Sequence, residues 1–197
     1  DRFLISMKQQ EVPTTICFNK VDKVEEETMQ KLEQTYQHSG YQVCFISVKE
    51  KQGLTHIREL IKGKTTVLAG PSGVGKSSLL NYLVPEAGML TGKVSDKIKR
   101  GKHTTRHSEI FYAGDDTYLF DTPGFSSLYV KNLEKKEIKE YFDEFLEYEN
   151  DCRFLGCMHL MEPDCAVKQA LVQGKISNIR YENYKQMVSE VEDQKKW

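Results

Sequence analysis

The sequence is poor in chain-breaking residues and has no long apolar run. Only 5 prolines and 13 glycines occur in 197 residues, too few for a fibrous or low-complexity polymer. No segment nears the roughly 18 consecutive apolar residues of a membrane-crossing helix. An excess of charge is also missing: 28 Lys and Arg against 29 Asp and Glu leave a net −1. That excludes a protein that coats nucleic acid with its whole surface, so any RNA contact must be local. No basic-then-apolar leader follows Asp1, so no secretion signal is expected. The 5 cysteines are an odd number, which argues against a closed disulfide framework. Cys17 and Cys44 each lie inside an apolar run and are expected to be small core residues. Hydrophobic residues at 39% and charged residues at 29% suit a globular chain with a core. The length allows one domain and a smaller second one, at roughly 100–200 residues per domain.

Short β-branched and aromatic runs alternate with longer helical patterns, which predicts an α/β fold with a mostly parallel sheet. Strands are expected at Thr14–Phe18, Gln42–Ser47, Thr65–Ala69, Ile110–Ala113 and Tyr118–Asp121. Helices are expected at Asp1–Gln9, Glu25–His38, Leu54–Ile61, Lys76–Leu83 and Lys135–Tyr148. Leu90–Ser108 shows no period and reads as a long loop, a kind that is usually functional. The composition changes near Glu149–Cys152. This places a larger domain at 1–149 and a small one at 150–197, the latter with helical stretches at Cys165–Gln173 and Ile179–Val191.

Gly70-Pro71-Ser72-Gly73-Val74-Gly75-Lys76-Ser77 has two glycines with four residues between them, then Lys and Ser. It follows a strand pattern and opens a helix pattern, the context a phosphate-binding loop needs. Glycines let backbone N–H groups wrap phosphate oxygens, and the helix start adds partial positive charge. Lys76 is then placed to reach the β and γ phosphates, and Ser77 to ligate Mg²⁺, with Ser78 beside it.

Asn19-Lys20-Val21-Asp22 closes another apolar run. A carboxylate there can accept hydrogen bonds from the N1–H and exocyclic amine of guanine, a donor pair that adenine lacks. Asn19 would brace the phosphate loop and Lys20 would lay its stem on the ring. Taken alone, the four residues are a weak signal, and a plain turn ending a strand is the alternative. Ser47-Val48-Lys49 ends the next strand, and Ser47 and Lys49 are candidates for closing over the base. Asp121-Thr122-Pro123-Gly124 ends a further strand. Asp121 is suited to hold a water of the Mg²⁺ shell and Gly124 to sense the γ-phosphate. Thr105, or its neighbour Thr104, can complete that shell, with Thr105 preferred. Each of these positions falls at the C-terminal end of an expected strand, the edge where open α/β sheets bind ligands.

Cys152, Cys157, His159 and Cys165 supply three thiolates and one imidazole within 14 residues, enough for a closed tetrahedral Zn²⁺ site. A segment of about 45 residues buries little apolar surface and needs such a staple. Lys93–His107 holds six Lys and Arg (Lys93, Lys97, Lys99, Arg100, Lys102, Arg106) against Asp96, whereas Lys131–Asp151 holds four Lys against eight acids. The basic segment is either a solvated face or a set of sequence-neutral RNA phosphate contacts.

The motifs are those of Ras-like GTPases in rotated order, with the base reader ahead of the phosphate loop. Together with Gly-Lys-His-Thr-Thr, Asp-Thr-Pro-Gly-Phe and the Cys/His knuckle, they resemble the RsgA/YjeQ family of small-ribosomal-subunit biogenesis GTPases. The resemblance implies a circularly permuted P-loop GTPase fold with a small C-terminal zinc-binding helical domain. It implies GTP/GDP, Mg²⁺ and one structural Zn²⁺ as cofactors. It also implies cytoplasmic action on the small (30S) ribosomal subunit and its rRNA, as a monomer without a membrane partner. The family carries an N-terminal OB-fold domain and a first strand, so a truncated chain is expected. Phe125 follows the Asp121–Gly124 turn where many GTPases place a water-orienting Gln. Slow intrinsic turnover is therefore expected, with the missing group supplied by His103 or by the partner. Gly73 stands where K⁺-dependent GTPases carry Asn, so no K⁺ requirement is expected. The alternative is a nucleotide-gated RNA-binding module with negligible turnover. An ATP-using P-loop enzyme is disfavoured by Asp22.

Overall fold

The computed structural model describes residues 1–88, 109–121 and 133–194. The element order is α1 (Arg2–Gln9), β1 (Thr15–Asn19), α2 (Glu26–Tyr36), β2 (Gln42–Ile46), α3 (Leu54–Ile61), β3 (Thr65–Leu68) and α4 (Lys76–Leu83). Then come β4 (Glu109–Tyr112), β5 (Tyr118–Asp121), α5 (Asp143–Leu146), α6 (Ala166–Val172) and α7 (Asn178–Gln194). Two compact units form: Asp1–Ile16, Glu25–Val43 and Leu128–Trp197 make one, and Cys17–Val24 and Cys44–Ser127 the other. The compositional boundary at 149–152 falls inside the first of these. Among the described residues no helix is long and apolar enough to cross a membrane.

In the second unit, β3, β5 and β4 form a three-stranded sheet in that order; β1 and β2 pair as a separate two-stranded sheet. β3 and β5 run parallel, with Leu68 opposite Asp121. β4 and β5 are antiparallel, with Glu109 opposite Asp121. The expected parallel character therefore stops at β5. Only Ala113–Thr117 joins β4 to β5, too short for the crossover that a parallel pair needs. The sheet carries α3 and α4, whose apolar residues Leu54, Ile57, Leu79 and Leu80 form a core with Ile46 and Leu119. Leu80 and Leu119 are fully buried, each contributing about 2 kcal/mol by removal from water.

Cys17 departs from expectation. Cys44 is buried but Cys17 is exposed. Burial alternates along β1, with Ile16 and Phe18 on the more covered face and Thr15 and Cys17 on the open one. An apolar run had suggested two covered faces, and the strand has one.

The first unit is built on Ile138, Phe142, Phe145, Val167, Tyr184, Met187 and Val188. The helix expected over 135–148 is broken. A 3-10 segment, Lys135–Tyr141, opens with a capping box between Glu134 and Glu137. Phe142 then turns extended (φ −111°, ψ 90°) before α5. In an unbroken helix Glu144 would point about 120° away from the Ile138/Phe142/Phe145 stripe. The break turns it inward, where Arg180 Nε and its Oε1 are 2.7 Å apart and the second nitrogen–oxygen pair 3.0 Å apart.

Candidate nucleotide and metal sites

The turn after β1 is fixed by its own side chains. Asn19 Oδ1 accepts from the N–H of Lys20 (2.8 Å) and of Val48 (3.2 Å). Lys20 takes the left-handed conformation (φ 74°) that starts the 3-10 turn Val21–Lys23, and buried Val21 anchors that turn. Asp22 stays exposed at its rim. Ser47 Oγ, fully buried, donates to Asp22 Oδ1 at 2.5 Å and accepts from the Glu50 N–H at 3.1 Å. The Ser47 hydroxyl holds the Asp22 carboxyl below its ordinary range, with Lys49 and Lys23 adding to the effect. Lys49 itself pairs with Glu50 (2.7 Å).

The same turn reaches the Gly70–Ser77 loop. Asn19 Nδ2 donates to the Val74 carbonyl (2.9 Å), and Lys20 Nζ donates to the Gly73 carbonyl (2.6 Å). Gly75 has φ +105°, and a Cβ there would fall far inside the contact distance of Asn19 Nδ2. The glycine is thus required both by its backbone and by the close approach of the asparagine. Gly75 caps α4, whose first residues are Lys76, Ser77 and Ser78. Pro71, Ser72 and Gly73 are exposed. Lys76 Nζ donates to the carbonyls of Gly70 (2.7 Å) and Pro71 (3.0 Å).

Parallel pairing sets Asp121 opposite Leu68, so the end of β5 and the phosphate-type loop share one sheet edge. Burial raises the Asp121 carboxyl above its ordinary range. Lys76 draws it back and Glu109 pushes it up. A carboxylate, a lysine and a helix N-terminus at one edge form an environment that can hold a polyphosphate and its divalent cation. Thr104, Thr105, His103, Gly124, Phe125 and the basic segment 93–107 lie outside the described residues.

The second cluster lies in the first unit. The donor atoms of Cys152, Cys157, His159 and Cys165 all fall within 4.8 Å of one another. His159 Nδ1 is 3.6 Å from Cys152 Sγ and 3.4 Å from Cys165 Sγ, and the two sulfurs are 3.9 Å apart. Tetrahedral zinc with ordinary Zn–S and Zn–N bonds requires edges of about 3.8 Å (S···S) and about 3.6 Å (S···N). The residues fit the ion. Burial pushes the Cys157 thiol up to about 12 and raises Cys165 as well; a bound cation would draw both toward the thiolate form. Burial, with Lys139 acting in the same sense, holds the His159 imidazole toward its neutral, metal-binding form.

Several residues that frame this cluster carry little signal in the sequence. Glu162 accepts from the N–H groups of Met158 (2.7 Å) and Leu160 (2.8 Å). Tyr181 and Tyr184 on α7 donate to the carbonyls of His159 (2.5 Å) and Met158 (2.6 Å). Their i, i+3 spacing on one helix face was the only hint available.

Comparison with known proteins shows the family. Residues 1–131 match the family model for the RsgA GTPase. The chain is 51% identical over 197 residues to the small ribosomal subunit biogenesis GTPase RsgA of Agathobacter rectalis, covering 100% of this chain and 65% of that protein. It is 44% identical over 197 residues to the protein of the same name from Alkaliphilus metalliredigens, covering 100% of this chain and 68% of that one. Among solved structures, YjeQ from Thermotoga maritima superposes with a TM-score of 0.78 at 36% identity, over 96% of this chain and 64% of the other. YloQ, described as a circularly permuted GTPase, gives 0.76 at 36% identity, over 98% and 62%. The chain thus spans about two thirds of these relatives, and its Asn19–Asp22 turn precedes its Gly70–Ser77 loop in sequence. Family model, curated relatives and fold agree, and the chain belongs to the RsgA GTPase family.

Proposed function

We propose that this chain is the nucleotide-hydrolysing and zinc-binding portion of a cytoplasmic, monomeric GTPase that acts on the small ribosomal subunit during its maturation. One observation carries the reading: Asn19 bonds Val74 across 55 positions of sequence, coupling a turn suited to guanine to a loop suited to phosphates. The relatives, small ribosomal subunit biogenesis GTPases by name, suggest the substrate class and the ribosomal partner.

In this reading Asp22 accepts from the guanine N1–H and exocyclic amine, pre-set by the Ser47 hydroxyl. Val21 anchors the turn, and Lys20 and Lys49 flank the base. The N–H groups of Ser72–Ser77 cradle the phosphates behind Gly70 and Pro71. Lys76 exchanges its two carbonyl partners for the β and γ phosphates, and Ser78 supports the helix start. Mg²⁺ supplies charge neutralisation at the phosphates when bound. Ser77 and Thr105 would ligate it, and Asp121 would hold a water of its shell. Gly124 senses the γ-phosphate, and His103 or the partner orients the attacking water in place of the missing Gln. Cys152, Cys157, His159 and Cys165 hold one structural Zn²⁺ that takes no part in the reaction. The basic segment Lys93–His107 contacts rRNA phosphates.

Single-turnover release of phosphate from GTP, with and without purified 30S subunits, tests this. Slow release that the subunit accelerates is expected. Release no faster than in Lys76→Ala under both conditions would leave a nucleotide-gated RNA-binding module instead.

A further inference from the structure

His159 is fully buried, and its two ring nitrogens have different surroundings. Nδ1 faces the sulfurs of Cys152 and Cys165. Nε2 has no hydrogen-bond partner among the described residues. A carboxylate oxygen, Glu149 Oε2, lies 3.8 Å from it. That same oxygen is held by Lys139 Nζ at 2.9 Å, and both side chains are largely covered, at 14% and 25% exposure. If Nδ1 donates its lone pair to a metal, the neutral ring carries its proton on Nε2, which leaves a buried N–H in need of an acceptor. An unpartnered buried donor is destabilising. A movement of about 1 Å by the glutamate would bring it to hydrogen-bond distance.

We infer that Glu149 is a positioning residue of the metal site, accepting the Nε2 proton of His159 and so presenting Nδ1 to the ion, with Lys139 holding the carboxylate in place. This rests on the zinc reading above. It adds a relay from the 3-10 segment 135–141, through Lys139 and Glu149, to the knuckle. Metal-bound histidines are commonly fixed in this way, and loss of the outer carboxylate typically weakens metal affinity 10–100-fold.

The test is zinc release from the full chain to a chromophoric chelator, compared in wild type, Glu149→Ala, Glu149→Gln and Lys139→Met. Each variant is first checked by metal analysis and circular dichroism, and the cobalt-substituted forms are compared by absorption spectroscopy. Glu149→Ala is expected to release zinc about 10–100-fold faster than wild type, with an altered cobalt ligand-field spectrum. Glu149→Gln, which retains an acceptor oxygen, should recover part of the loss. Lys139→Met should have a smaller effect than Glu149→Ala. Wild-type release rates in both Glu149 variants would overturn the inference while leaving the zinc site standing. So would equal effects of Glu149→Ala and Lys139→Met with an unchanged cobalt spectrum, because the ion pair alone would then be what matters. A wild-type chain that binds no stoichiometric zinc would overturn both readings together. If Glu149→Ala fails to fold, the near-isosteric Glu149→Gln carries the comparison.

Discussion

Asn19 and Val74 are joined by a 2.9 Å hydrogen bond from side-chain amide to backbone carbonyl. The amide's other end, Oδ1, is spent on Lys20 and Val48 N–H groups. One asparagine therefore ties together the ends of β1, β2 and the loop after β3. Gly75 makes room for it. Gly75→Ala is expected to abolish nucleotide binding, because the new Cβ strikes Asn19 and φ +105° is strained. Gly73→Ala meets open space and should pay only the left-handed backbone cost of about 1–2 kcal/mol. Titration calorimetry with GDP on both variants separates these outcomes.

The Asp22 carboxyl sits below its ordinary range chiefly because Ser47 donates to it. A lowered carboxyl stays ionised to lower pH, and what it supports is lost only as pH falls through the lowered value. Ser47→Ala removes the donor and is expected to move the Asp22 midpoint upward. A carboxyl-carbon NMR titration of both proteins measures this, and an unchanged midpoint would contradict the geometry.

Asp121 runs the other way. Burial raises it, Lys76 lowers it, and Glu109 across the β4–β5 pair raises it. The folded state therefore holds this proton more tightly than the unfolded chain does, and stability declines as pH rises through that window. Asp121→Asn is expected to raise the Tm at neutral pH while removing the Mg²⁺-dependent part of nucleotide affinity. Thermal melts with GDP, with and without Mg²⁺, read both effects.

Much of the second unit was legible because its signals are local. The phosphate-type loop is eight residues in register with a strand and a helix, and Asn19–Asp22 ends the run that becomes β1. The role of the Ser47 hydroxyl toward Asp22 was not legible, because it depends on a pairing between residues 25 apart. The break at Phe142 was hidden because Ile138, Phe142 and Phe145 keep helical spacing. What decides against a continuous helix is the distant partner Arg180, which draws Glu144 inward. Cys17 was misplaced because an apolar run in a strand does not say how many faces are covered.

Arg180 and Glu144 are almost fully buried, with side-chain exposures of 2% and 3%. Arg180 also pairs with Asp1 at 2.7 Å and stands over the Phe142 ring at 4.6 Å. Arg180→Met leaves Glu144 buried without its counter-charge and is expected to cost about 3–5 kcal/mol. The double variant Arg180→Met/Glu144→Leu should recover a substantial part. Urea unfolding of the zinc-loaded proteins checks the order wild type, double variant, single variant.

The Asp22 turn and the Lys76 loop are proposed to bind one guanine nucleotide between them. Displacement of a fluorescent GDP analogue by GDP, ADP and XDP, in wild type and Asp22→Asn, tests it most directly. GDP is expected to displace the probe from wild type, and ADP is not. Asp22→Asn is expected to weaken GDP at least about 100-fold, as loss of two charge-assisted hydrogen bonds requires, while XDP gains. Equal displacement by ADP and GDP, or an Asp22→Asn protein with unaltered preference, would contradict it.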